Sequence, residues 1–180
     1  TIIQLKMKIK GKCGQKKIIH NIREVNNMAG YAIGKSMNLG FPGTYARTPD
    51  DVIMSRAVKE DSKAIPFGAP VILNSDNTYS VGDATLTADN FAGVAVRIVQ
   101  QAVQYLAQNS GAYQPTQPCS VIQRGNVMVT CNVGTPTAGG KVYVRTAGED
   151  SGSGKIIGGF EATDDSGNVV ELPNVCWATG

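Results

Sequence analysis

A single histidine, His20, serves the whole chain of 180 residues, and beyond residue 27 there is none. That larger part of the chain lacks the usual general base, and neither a Ser-His-Asp nor a Cys-His arrangement can be assembled in it. The four cysteines, Cys13, Cys119, Cys131 and Cys176, form no C-x-x-C pair, which argues against a zinc site. They read as buried, reduced thiols, with one disulfide as the alternative. Charged residues make up 17% of the chain, below the about 25% of an ordinary globular protein. No run reaches the roughly 18 apolar residues of a membrane span. The opening "TIIQLKMKIK" interrupts its apolar residues with lysine before a secretory apolar region can form.

What the chain does have is glycine, 21 residues spread along its length, and 42% hydrophobic residues. That combination fits many short strands joined by tight turns around a filled core. The formal net charge of +3 hides an asymmetry. Residues 1–27 carry seven basic residues against one acidic, whereas residues 28–180 carry ten basic against thirteen acidic. The larger part is mildly acidic and has no basic stripe for nucleic acid.

Read along the chain, residues 28–66 contain small and turn-forming residues with little periodicity before "DVIMSRAV", and they read as an extended arm and lead-in. The pattern then becomes β over 67–180. "GAPVILN" and "TYSVG" form a hairpin about "NSDN". "FAGVAVRIVQ" alternates with β-branched residues and reads as strand, with a helix over 100–108 as the lesser option. "CSVIQRG" and "NVMVTCNV" read as a second hairpin-like pair about Arg124, Gly125 and Asn126. In the latter, Val127, Val129, Cys131 and Val133 share one face. "KVYVRT" places Val142 and Val144 inward, with Tyr143 and Arg145 outward. The fold class is all-β: a compact sandwich or barrel, jelly-roll-like, with an extended N-terminal arm and little helix. No repeat or second domain is evident.

The Gly-rich stretch "GTPTAGGK" invites comparison with a phosphate-binding loop, but valine follows Gly140-Lys141 where a magnesium-binding Ser or Thr belongs. A strand pattern follows where a helix is needed. It reads as a hairpin connection. The acid pairs Asp50-Asp51, Glu149-Asp150 and Asp164-Asp165 sit among Gly, Ser, Thr and Pro, as solvated turn acids do. A glycosidase would need two such groups across a cleft, and "DDSGN" lacks the spacing of a calcium loop. No catalytic, cofactor-binding or metal-ligating residue is assigned. Trp177, the only tryptophan, is either a core plug or an interface anchor, and it is the oligomer-interface candidate.

Several stretches together resemble the structural cement, or capsid decoration, proteins of tailed bacteriophages. They are "GKSMNLGFPGTYARTPD", "IPFGAPVILNSDNT", "NFAGVAVR", "YQPTQPCSVIQRGNVMV", "GTPTAGGKVYVR" and "ELPNVCWATG", within residues 28–180. The likeness rests on their order and not on one decisive motif. It implies a β-rich homo-oligomer without enzyme activity or cofactor, bound outside the assembled head and partnered by the major capsid protein. It implies neither nucleic acid nor membrane as a partner, and a virion protein made in the host cytoplasm. Asn38, Leu39, Phe41, Pro42 and Tyr45 of the arm are the capsid-contact candidates, the alternative being that the arm packs on its own domain or on a sister subunit. A phage tail or baseplate β-module, and a carbohydrate-binding or hydrolytic β-sandwich, remain as other readings. The second of these sits poorly with 6% aromatic residues.

Residues 1–27 fall outside that resemblance. "REVNNM" can be encoded with a purine-rich GGAGG ribosome-binding sequence two codons before an ATG, so translation is expected to start at Met28. The alternative is a basic arm for nucleic acid or an acidic coat surface.

Overall fold

The computed structural model describes residues 2–7, 40–97 and 111–179. The described chain is almost entirely strand: β1 (Ile2–Met7), β2 (Tyr45–Ala57), β3 (Ile65–Pro66), β4 (Pro70–Leu73), β5 (Tyr79–Val81), β6 (Phe91–Ala95), β7 (Ala112–Tyr113), β8 (Pro118–Val133), β9 (Lys141–Arg145), β10 (Phe160–Glu161) and β11 (Val169–Trp177). Nine strands form one sheet in the order β1-β11-β9-β10-β8-β6-β4-β5, with β2 also on β8, while β3 and β7 pair separately. Because β1 pairs with β8 as well as with β11, the strands β8, β1, β11, β9 and β10 close on themselves as a small ring. Closure removes free edges from this part of the sheet.

Strand β8 organises the molecule. Its alternation buries Val127, Val129 and Cys131 beside Val142, Val144, Phe160, Leu172, Val175 and Trp177 within the ring. Its first half delivers Cys119 and Val121 to a second cluster with Val58, Ile65, Val71, Tyr79, Ala95 and Tyr113. Each such aliphatic side chain, wholly removed from water, contributes about 1.5–3 kcal/mol before entropy is subtracted. The buried Tyr113 hydroxyl donates to the Val96 carbonyl at 2.6 Å, so its polar tip is satisfied.

Three sequence expectations are corrected. Arg124, Gly125 and Asn126 do not turn the chain, because β8 runs unbroken for 16 residues. Gly125 instead takes φ +133, and the β2 register shifts opposite it between Arg47 and Val52. The glycine therefore bends a long strand at a bulge and does not end it. Secondly, the strands flanking "GTPTAGGK" are not hydrogen-bonded partners. Strand β10 lies between them, parallel to β8 through Cys131↔Phe160 and antiparallel to β9 through Phe160↔Val144. Thirdly, Tyr143 and Arg145 do not face outward: Arg145 is 0% exposed and Tyr143 is buried with its valine neighbours. Both faces of β9 are covered, so alternation carries no inside-outside information there.

The expected arm of 28–66 enters the described residues at Gly40. From Tyr45 it is strand β2, laddered to β8 from Val127 back to Pro118, and Val58 and Ile65 belong to the second core cluster. "VVEL" and "NVCW" fall in the single strand β11, whose ladder to β9 skips from Glu171 to Cys176. Pro173 lies in the gap, where its missing N–H cannot break a ladder bond. Of "FAGVAVRIVQ", the strand β6 covers the start, and the expectation for 100–108 lies outside the described residues.

Candidate functional site

The most exposed large apolar side chain among the described residues is Phe41, at 57%, on the turn "FPGT". Thr44 N–H donates to the Phe41 carbonyl at 3.0 Å, and Gly43 has φ +80. Proline followed by a glycine of positive φ is the chemistry of a type II turn. The turn is fixed to the body at its inner corner. Gly43 N–H donates to the Met128 carbonyl, and Arg97 N–H donates to the Gly43 carbonyl, each at 2.8 Å. A Cβ on Gly43 would meet the Ala95 carbonyl oxygen and the Gly68 nitrogen at 2.9 Å. The exposed Arg97 guanidinium lies 5.2 Å from the Phe41 ring centroid, within cation–π distance.

Beside this tip runs an open groove of about 280 Å³, walled by Pro42, Pro66, Phe67 and Ile156 and floored by Gly158 and Phe160. Ile156 is itself 45% exposed. Phe67 is held by an edge-on contact with Tyr113, with centroids 5.2 Å apart. The lining is mostly apolar and carries no ionisable side chain, with Thr130 and Asn132 its polar members, so the groove can accept an apolar side chain. Tip and groove together make a rigid apolar surface of the kind that docks proteins.

A second feature lies in the ring. Arg145 donates from Nε to Glu161 Oε1 at 2.5 Å and from Nη2 to Glu161 Oε2 at 2.9 Å. Nη2 also reaches Asp165 at 2.7 Å, and Nη1 reaches the carbonyls of Ala147 and Gly148 at 3.1 and 3.2 Å. All five guanidinium donors are thus used. The surrounding acids raise the Arg145 pKa further, Glu161 foremost. Asp165, hydrogen-bonded by Arg145 and then by Lys155 and Asn168, is held down at about 2. This clamp ties β9, β10 and two loops together. Sequence reading missed it, although an arginine in a valine-rich strand followed by Glu161 and Asp165 was a signal.

Of the sequence candidates, Asn38 and Leu39 lie outside the described residues. Phe41 and Pro42 stand at the tip and groove. Tyr45 is half-buried against the core, where burial and then the Asp51 charge raise its pKa. Trp177, the oligomer-interface candidate, is 0% exposed inside the ring, and its indole N–H has no hydrogen-bond partner among the described residues. Of the expected turn acids, Asp50 and Asp51 lie instead in strand β2, where Asp50 pairs with Arg124, while Asp150 accepts from Gly152 N–H and Asp165 belongs to the clamp. Among the described residues Cys119 and Cys131 are in no disulfide, and burial pushes the Cys119 thiol up to about 12. His20 and Cys13 lie outside the described residues. Among the described residues no cluster of His, Cys, Asp and Glu could hold a metal ion, and no helix is long and apolar enough to cross a membrane.

Comparison with known proteins adds one match. The family model described as "Structural cement protein (E217 gp24/Pam3 gp6)" matches residues 30–180. No curated protein matches the chain.

Proposed function

The chain belongs to the phage structural cement protein family, and on that premise we propose that it binds the outer surface of the assembled head as a homo-oligomer and holds neighbouring coat subunits together without catalysis. The match over residues 30–180 carries this reading, and the Phe41–Pro42 tip supplies a surface suited to it. Asn38, Leu39, Phe41, Pro42 and Tyr45 are the proposed contacts. Phe41 and Pro42 reach the coat directly, and Tyr45 supports the turn from behind.

Packaged DNA pushes coat subunits apart. A protein that binds only where two subunits meet stabilises the closed lattice by the free energy of its own binding. Several copies acting as one oligomer add avidity, so each contact can be modest. An anchor such as Phe41 loses little entropy on docking because its turn is already rigid.

The test uses purified protein and heads stripped of it. Wild-type protein is expected to bind heads saturably and to raise their resistance to heat, while Phe41→Asp binds about tenfold or more weakly with an unchanged melting temperature. Equal affinity for free coat monomers, robust hydrolase turnover, or a copy number per virion matching the tail would overturn the reading.

A further inference from the structure

Among the described residues, β2 is laddered on one side only. Its partner there is β8, and the opposite edge first meets another strand at Val58, which bridges to Tyr79. Between Asp50 and Ala57 that outer edge has no ladder partner among the described residues. Met54 is 41% exposed, and Ser55 and Ala57 are exposed beside it. An edge of this kind is a template for a further strand.

The charges along the edge are ordered. Asp50 and Asp51 stand at its start, Arg56 near its end and Lys59 two residues beyond β2, and only uncharged residues lie between the acidic and basic groups. Asp50 has one exposed contact, with Arg124, which leaves its carboxylate 77% exposed. Arg56 has no carboxylate partner among the described residues. Its guanidinium is half-buried 5.8 Å from the Tyr79 ring centroid, and its buried Nε has no acceptor among the described residues. Lys59 is exposed. A second copy of the same strand, turned antiparallel about a two-fold axis near Met54, sets the acidic end of each copy against the basic end of the other. An unrelated strand has no reason to carry the reversed order of charges, whereas a copy of this one carries it by symmetry.

We propose that the outer edge of β2 is a self-association surface, on which a second copy of this chain adds its own β2 antiparallel, with Asp50 and Asp51 of one copy facing Arg56 and Lys59 of the other. Backbone ladder bonds give the contact its strength, and the charges set direction and register. The inference rests on the homo-oligomeric part of the reading above, and it concerns free protein, so its failure is separable from a failure to bind heads.

Light scattering on full-length protein tests it. Wild type is expected to be dimeric at micromolar concentration or to contain this dimer in a larger assembly. The variants Asp50→Lys/Asp51→Lys and Arg56→Glu/Lys59→Glu each oppose like charges twice, and each is expected to associate about tenfold or more weakly. Mixed together they again oppose unlike charges and are expected to recover a one-to-one complex. Recovery also demonstrates that both variants are folded. A monomeric wild type, association indifferent to either charge change, or no recovery on mixing would overturn the proposal. Head binding by the same samples is scored separately.

Discussion

Removing the buried arginine should harm this protein more than any surface change. Arg145→Met keeps the length and apolar stem of the side chain but deletes five donors, two of them facing Glu161, which is itself 0% exposed. The carboxylate left behind cannot reach water. Breaking a buried pair from one side costs about 3–5 kcal/mol, because the surviving charge is uncompensated. The carbonyls of Ala147 and Gly148 lose their donor as well, so the upper half of that range is expected. For a chain of this size the loss corresponds to a fall of roughly 6–20 °C in melting temperature. The double variant Arg145→Met/Glu161→Leu removes the stranded charge and is expected to recover about 2 kcal/mol or more of that loss, since an apolar replacement of a buried pair is often close to neutral. Urea unfolding of wild type, both single variants and the double variant gives the coupling directly. A loss below about 1 kcal/mol for Arg145→Met, or strictly additive effects, would refute the argument that the ion pair is sealed from solvent.

Acid should loosen the same clamp from its exposed side. The Asp165 pKa is lowered in the fold to about 2, so its contribution is fully present above the unfolded carboxylate range and is lost as pH falls from about 4 toward 2. Melting temperature is expected to drop across that window, and Asp165→Asn should flatten the drop; an identical slope in the variant would show that other carboxylates govern it. At the tip, Gly43→Ala is expected to cost about 2 kcal/mol or more, because φ +80 is strained for alanine and the new methyl meets backbone at 2.9 Å. A melting curve matching wild type would show that the turn is not held as described.

The all-β character was legible in the sequence because strand alternation and glycine turns are local signals. Val127, Val129 and Cys131 on one face, and the hairpin about "NSDN", needed nothing beyond near neighbours. The turn chemistry of "FPGT" also lies within four residues, which read as turn-forming punctuation in an extended arm. The readings that changed all depended on distant chain. Gly125 reads as a turn until a bulged β2 is laid beside it, and "GTPTAGGK" reads as a hairpin until β10 enters between its strands.

Composition and order of residues by themselves determined an all-β protein and a resemblance to the family that the chain belongs to. Tertiary structure alone decided that Trp177 is enclosed, that Arg145 points inward, and that β2 is laddered on one side among the described residues. The reason is that β-structure satisfies its backbone through partners far away in sequence. A residue's own neighbours can set its conformation, but only the strand placed beside it determines whether a charge is buried, paired or left at an edge.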